Sequence, residues 1–218
     1  MHRTGVIFAR ALDLSPAEHI FAAWTGGKDS TVMLHQWMIF LQEQKPGATV
    51  RALSLDTGYK FVEVLDFRDE MARKWGIELK VIRPGHETRA EAVNSSRMEC
   101  CRLLKIEPLQ RAVQEYRVKV LLTGIRRDEH ESRQQTSDVQ ERKEPDYFQV
   151  NPLAHWTEMD VWACIMMQGL PYCSLYDRGY RSLGCMPCTD KGTQEFERSG
   201  RHPEKEESMK LLRSMGYF

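Results

Sequence analysis

The sequence has no apolar run approaching the roughly 18 residues that mark a membrane-spanning helix, and no surplus of charge of either sign. Its 218 residues carry 31 Lys+Arg against 31 Asp+Glu. That balance argues against a general nucleic-acid binder, which shows a basic excess, although a local basic patch remains compatible with it. The amino terminus lacks a charged leader followed by an apolar stretch and a small-residue cleavage site, so a cytoplasmic protein is expected. Internal repeats and low-complexity segments are also missing, which removes solenoids and linkers from consideration. What is present suits one soluble domain: 41% hydrophobic residues supply a core, and the length fits a single unit over 1–218. Residues 1–17 read as an N-terminal extension and 184–218 as a tail packed on the main sheet.

Short apolar runs alternate with helical spacing through the first half. His19 to Trp24 reads as a buried strand that ends in Thr25-Gly26-Gly27-Lys28-Asp29-Ser30. A helix follows, with Val32, Met33, Trp37 and Phe40 on one face. Further strands are predicted at Val50–Leu55, Glu78–Ile82 and Val118–Thr123, with helices at Phe61–Trp75 and Cys101–Tyr116. Such alternation means βαβ crossovers and an α/β fold with a doubly wound, mostly parallel sheet. Its ligands lie beyond the carboxyl ends of the strands, where the Gly- and Asp-rich turns fall. The polar stretch from Arg126 to Pro145 reads as a surface loop, disordered or acting as a flap over an anion. Thr157 to Gln168 reads as a helix with Asp160 in the capping-box position.

The strand-to-helix turn at Thr25–Ser30 carries the first chemistry. Its glycines let a ligand approach the backbone, and the free N–H groups of a helix start favour phosphate. Lys28 adds a cation and Ser30 a hydroxyl, but the spacing is not that of a Walker A loop. A second turn, Asp56-Thr57-Gly58-Tyr59-Lys60-Phe61, is a weak signal alone. A third, Gly124-Ile125-Arg126-Arg127-Asp128, sets two guanidinium groups past a strand end, where they suit sulfate or phosphate oxygens. Cysteine usage is distinctive: Cys100 and Cys101 are adjacent, and Cys185 and Cys188 form a C-x-x-C. In a reducing compartment this pattern points to metal or redox chemistry. Spacing leaves an iron–sulfur cluster, zinc and unliganded thiols open. Cys164 reads as a small core residue, and the histidines show no metal-ligand spacing.

The Thr25–Ser30 turn resembles the pyrophosphate loop of the ATP pyrophosphatase superfamily, with Thr25 in place of its first serine. From Phe21 onward the chain resembles the adenylyl-sulfate (APS) and phosphoadenylyl-sulfate (PAPS) reductases and the related small subunits of ATP sulfurylase. The likeness is carried by Glu99-Cys100-Cys101 with Lys105-Ile106-Glu107-Pro108-Leu109, by Gly124 to Asp128, by Asn151-Pro152-Leu153, by Arg178-Gly179-Tyr180, and by Gly184-Cys185-Met186-Pro187-Cys188-Thr189. It implies an adenine nucleotide α-hydrolase-like fold, with a [4Fe–4S] cluster on Cys100, Cys101, Cys185 and Cys188. It also implies nucleotide phosphates on Thr25, Gly26, Gly27, Lys28, Asp29 and Ser30, with the nucleoside near Asp56, Thr57, Gly58 and Gly124. Lys105, Arg126, Arg127, Arg198 and Arg201 are then the residues that grip an oxyanion, with Lys28, Lys105, Arg126 and Arg127 acting in the reaction.

The chain departs from the reductases in its tail. Their Glu-Cys-Gly-Leu-His-type ending supplies the attacking cysteine, whereas here the corresponding stretch is Glu206-Glu207-Ser208-Met209-Lys210, and no cysteine follows Cys188. The intact phosphate loop and the final Gly216-Tyr217-Phe218 resemble the sulfurylase small subunit instead. The leading expectation is therefore adenylyl transfer from ATP, with Mg2+, to sulfate or a related oxyanion, which would imply a GTPase partner subunit. The alternative is reduction of adenylyl sulfate or phosphoadenylyl sulfate to sulfite, with the thiol supplied by Cys173, by a thioredoxin-like partner or by a small molecule. A nucleotide or redox sensor, or sulfur insertion into a substrate such as tRNA, complete the options; a homo-oligomer is compatible with any of them.

Overall fold

The computed structural model describes residues 2–192 and 196–217. Its centre is a six-stranded sheet in the order β3-β2-β1-β4-β6-β5, formed by β1 (Ile20–Ala23), β2 (Arg51–Leu55), β3 (Glu78–Ile82), β4 (Val120–Leu122), β5 (Val139–Lys143) and β6 (Asp146–Val150). All neighbouring pairs are parallel except β5 with β6. The chain winds from β1 outward to β3, then returns to β4 on the other side of β1. This leaves a crevice at the carboxyl ends of β1 and β4, the switch point where α/β sheets bind ligands.

Alternation along the strands assigns the two faces. Ile20, Ala22, Trp24, Ala52, Val120 and Leu122 point to a core shared with α1 (His2–Leu14), α2 (Lys28–Gln44), α3 (Val62–Trp75) and α7 (Glu158–Gln168). Phe21, Ala23, Leu53 and Leu121 point to the opposite side, against Leu109, Ala112 and Val113 of α6 (Glu107–Glu115). Central strands buried on both faces explain why β1 reads as a continuous apolar run. The N-terminal extension is part of this core. Ile7, Phe8 and Ala11 of α1 are buried, the Phe8 and Trp37 rings lie 5.3 Å apart, and the Trp156 indole donates to the Thr4 hydroxyl at 2.9 Å.

Two expectations are corrected. The stretch from Arg126 to Pro145 is not a disordered loop or flap: it holds a short 3-10 turn (Glu131–Arg133) and the edge strand β5. Its antiparallel partner β6 was not apparent from the sequence, although it buries Tyr147, Gln149 and Val150. Beneath the hairpin, the Asn151 side-chain Oδ1 accepts from the Thr123 hydroxyl (2.6 Å) and Gln149 Nε2 (2.9 Å), and its Nδ2 donates to the Ser137 carbonyl (2.8 Å). That buried network ties the segment to the end of β4 and orders a polar sequence. The helix expected over Cys101–Tyr116 is three pieces: α5 (Arg97–Cys101), a π turn (Arg102–Ile106) and α6. Pro108 falls in the first turn of α6, where its missing N–H costs nothing, and the wide turn before it carries Lys105. Helix α4 (His86–Val93) precedes α5, and α8 (Pro203–Glu207) and α9 (Met209–Ser214) close the chain. The capping box at Thr157 and Asp160 is formed in full.

Candidate active site

The phosphate loop stands where its sequence requires. Gly26 has φ +81°, and a Cβ there would lie 2.8 Å from Val64 Cγ1, so only glycine fits. Gly124, at the end of β4, is pressed against the start of α2: a Cβ there would meet Ser30 N at 2.8 Å and the Asp29 carbonyl carbon at 2.9 Å. The loop hydroxyls face one another, Thr25 Oγ1 to Ser30 Oγ at 3.0 Å, and the Lys28 N–H donates to the Tyr176 hydroxyl at 2.8 Å.

A cleft runs from this loop towards the cysteines. Thr25, Gly27, Asp29, Ser30, Thr57 and Gly124 line one end, and Lys60, Lys105, Arg198, Arg201 and Tyr217 line the other. Three candidate cations lie outside that lining. Lys28 is buried, and its ammonium is engaged by Asp29, by Glu197 and by the Arg181 carbonyl at 3.2 Å; burial opposes its charge, but Asp29, Tyr176 and Glu197 hold it charged well above its ordinary range. Arg126 is fully buried and shared among Asp29 (2.6 Å), Asp128 (2.5 Å) and Glu197. Arg127 turns to the Thr136 carbonyl (2.8 Å) and His155 (3.2 Å). Asp56, expected beside the nucleoside, accepts from the Gly58 N–H and from Arg83, both at 3.0 Å. Burial would raise its carboxyl, but these two partners hold it below the usual range. Gly26 and Gly58 support the turns from behind the lining.

The thiol end is built differently. Lys60 and Lys105 have no carboxylate partner among the described residues. Among the described residues Arg201 bonds to neutral groups, the Ser182 hydroxyl (3.0 Å), the Thr189 hydroxyl (3.1 Å) and the Leu183 carbonyl (2.5 Å). Arg198 is held by both oxygens of Glu206 at 2.8 Å. The Tyr217 ring receives the ammonium groups of Lys105 at 5.5 Å and Lys205 at 5.1 Å. Burial would push its phenol up, yet these cations bring it down to about 7. Lys60, Lys205 and Tyr217 were not singled out from the sequence. Lys60 and Tyr217 sit inside stretches that were read without being assigned a role, while Lys205 lies in the tail outside any motif, where only folding brings it near. Phe218 lies outside the described residues.

Cys100, Cys101, Cys185 and Cys188 are all free thiols that feel one another's charge. Burial, then Cys101 and Cys185, push Cys100 up to about 11, with Lys105 opposing. Cys185 moves the other way: burial opposes ionisation, but Lys105, Lys60 and the Thr57 hydroxyl, 3.2 Å away, bring it down to about 6. No three of these sulfurs lie within 4.8 Å of one another, whereas oxygens of Asp29, Glu129 and Glu197 do. One tetrahedral zinc at about 2.3 Å from each sulfur would need them closer, near 4 Å. A donor set of four thiols, spread wider than one zinc requires and ringed by cations, fits a polynuclear cluster. The three carboxylates answer to Lys28, Arg126 and Arg133. Cys164 is buried in the core, as expected. Cys173 is 1% exposed, packed with Val64 and Leu175, and burial raises its thiol; it does not line the cleft and is set aside as a replacement nucleophile.

Fold and cleft together define an α/β protein of the adenine nucleotide α-hydrolase-like class, with a phosphate-loop end and a thiol end. Comparison with known proteins narrows this. The profile of the phosphoadenosine phosphosulfate reductase domain matches residues 19–191, and the chain belongs to that family. An adenosine 5'-phosphosulfate reductase of Salinibacter ruber is 31% identical over 209 residues, covering 89% of this chain and 80% of its own. A phosphoadenosine 5'-phosphosulfate reductase of Xylella fastidiosa is 33% identical over 183 residues, covering 80% and 73%. Among solved structures, the PAPS reductase of Candida auris superposes with a TM-score of 0.68 at 22% identity, covering 86% of this chain and 90% of that one. The FMN adenylyltransferase of Candida glabrata, with FMN and an ATP analogue, gives 0.71 at 19% identity, covering 99% and 81%. These two likenesses establish the fold. No helix of the described residues is long and apolar enough to cross a membrane.

Proposed function

We propose that the chain reduces a sulfonucleotide, adenylyl sulfate or its 3'-phosphorylated form, to sulfite. The observation that carries this reading is the row of cations, Lys105, Arg198 and Arg201, at the end of the cleft beside the four thiols. The names of the relatives support it over the adenylyl transfer that the sequence alone put first. Lys105 and the two arginines would bind the phosphosulfate and stabilise charge on its oxygens as the bond to sulfur breaks. A thiolate attacks the sulfur, the sulfur–oxygen bond to the phosphate breaks, and the nucleotide leaves as its 5'-phosphate. A second thiol then releases sulfite and leaves a disulfide, so two electrons pass from the thiols to sulfur. Glu206–Lys210 holds no cysteine and Cys173 is buried away from the cleft, so this reading takes both thiols from a thioredoxin-like dithiol or a small thiol. Cys100, Cys101, Cys185 and Cys188 are the residues that would hold a [4Fe–4S] cluster, whose contribution is a fixed electrostatic and redox-capable group beside the substrate's anionic end.

The intact Thr25–Ser30 loop favours a second reading, adenylyl transfer from Mg2+-bound ATP to an oxyanion, and a GTPase partner belongs to that reading alone. The test is anaerobic sulfite release from both sulfonucleotides with thioredoxin or dithiothreitol. Sulfite from at least one is expected. No sulfite, together with pyrophosphate release from ATP and sulfate, would overturn the proposal in favour of the second reading.

A further inference from the structure

Lys60 lines the thiol end of the cleft, has no carboxylate partner among the described residues, and is fixed by its backbone. Its backbone bridges to Cys185, and the next rung is the Met186 N–H donating to the Tyr59 carbonyl at 2.7 Å. The residues on either side are anchored apart. Tyr59 packs with Leu103 and Leu104, while Phe61 meets Tyr180 edge-on at 5.3 Å. Between these anchors Lys60 lines the cleft, among Lys105, Arg201, Tyr217 and Cys185. The Cys185 thiol and the Tyr217 phenol offset part of the charge that Lys60 shares with Lys105 and Arg201, and three cations facing one cleft still favour an anionic ligand there.

We infer that Lys60 binds the terminal sulfonate of the substrate, and so distinguishes a sulfonucleotide from the nucleoside monophosphate it becomes. The inference rests on the reductive reading and sharpens it. Lys105, Arg198 and Arg201 serve the phosphosulfate as a whole. Lys60, fixed to the thiol loop through its bridge to Cys185, serves the end that leaves as sulfite. Product release then follows from the chemistry, since the adenosine 5'-phosphate left behind makes no contact with Lys60.

Calorimetry of the iron-loaded chain under anaerobic conditions tests this, with adenylyl sulfate and adenosine 5'-phosphate as probes (or the 3'-phosphorylated pair, if the unaltered chain prefers it). Lys60→Gln should weaken sulfonucleotide binding about 10- to 100-fold, the worth of a charge-assisted hydrogen bond. Monophosphate binding should stay within about twofold, and Lys60→Arg should restore most of the loss. Equal losses for both probes, or no loss for either, would overturn the inference. So would loss of iron and visible absorption in Lys60→Gln, because Lys60 would then serve the thiol loop. If the unaltered chain binds neither probe, the reductive reading itself fails and this inference with it.

Discussion

The two ends of the cleft handle positive charge in opposite ways. At the phosphate loop, Lys28 and Arg126 are buried and answered by Asp29, Asp128 and Glu197. At the thiol end Arg198 is held by Glu206, but Lys60, Lys105 and Arg201 line the cleft without a carboxylate among the described residues. Cations neutralised within the protein build structure, because removing one leaves buried carboxylates exposed to a low-dielectric interior. Cations left unanswered raise the local potential and attract an anionic ligand. The difference teaches that the loop end, although it carries the more familiar motif, is organised as a scaffold. On the reductive proposal, the chemistry lies at the other end, where the motif is less conspicuous.

The sharpest test of that contrast is at the thiols. Anaerobically purified protein should carry about four irons per chain with matching sulfide, and Cys185→Ser should lose most of both; zinc in their place would break the assignment of the thiol end. Next in size is a pair of charge removals. Arg126→Ala should cost about 3 kcal/mol or more, a fall of roughly 10 °C in Tm for a chain of this length. Lys60→Gln should change Tm by under about 2 °C. Equal falls in thermal scans would erase the distinction between scaffold and ligand cations.

Gly124→Ala probes how the loop end is built. Its Cβ would press on Ser30 N and the Asp29 carbonyl carbon, two backbone atoms that cannot swing aside, so a loss of about 1–3 kcal/mol is expected in denaturant titrations. Unchanged stability would mean that the loop and the end of β4 can separate freely. The smallest effect lies in the core beside the loop helix. Burial lowers the His35 imidazole below its ordinary range, its Nδ1 has no partner, and its ring lies 5.5 Å from Trp75. The unfolded chain therefore binds the proton more readily, and stability contributed by neutral His35 falls as pH drops below about 6.5. His35→Phe should flatten the decline in Tm between pH 7 and pH 5 by a few degrees. An unaltered decline would show that His35 titrates as freely folded as unfolded.

Much of this arrangement was legible in the sequence, where local rules govern. The strand Glu78–Ile82 and the helix start at Thr157 follow from residues within a few positions of one another. So does the glycine-rich turn after β1. The edge hairpin was missed because its order comes from Asn151 and its partners, contacts that no periodicity reports. The loss of Cys173 as a nucleophile was invisible for the same reason, since a cysteine in a turn is exposed or buried only by what packs on it.

Sequence by itself determined the class of sheet, the glycine-rich turn after β1 and the family, because each depends on residue type at local spacings repeated along the chain. Tertiary structure decided which cations are spent and which are available. Lys28 and Arg126 carry motif positions yet are consumed by carboxylates, Glu197 among them, that arrive from as far away as the tail. Lys60, Lys205 and Tyr217 acquire their surroundings only when that tail folds back over the cleft. Charge acts through space, and the distance that sets its effect exists only once the chain has folded.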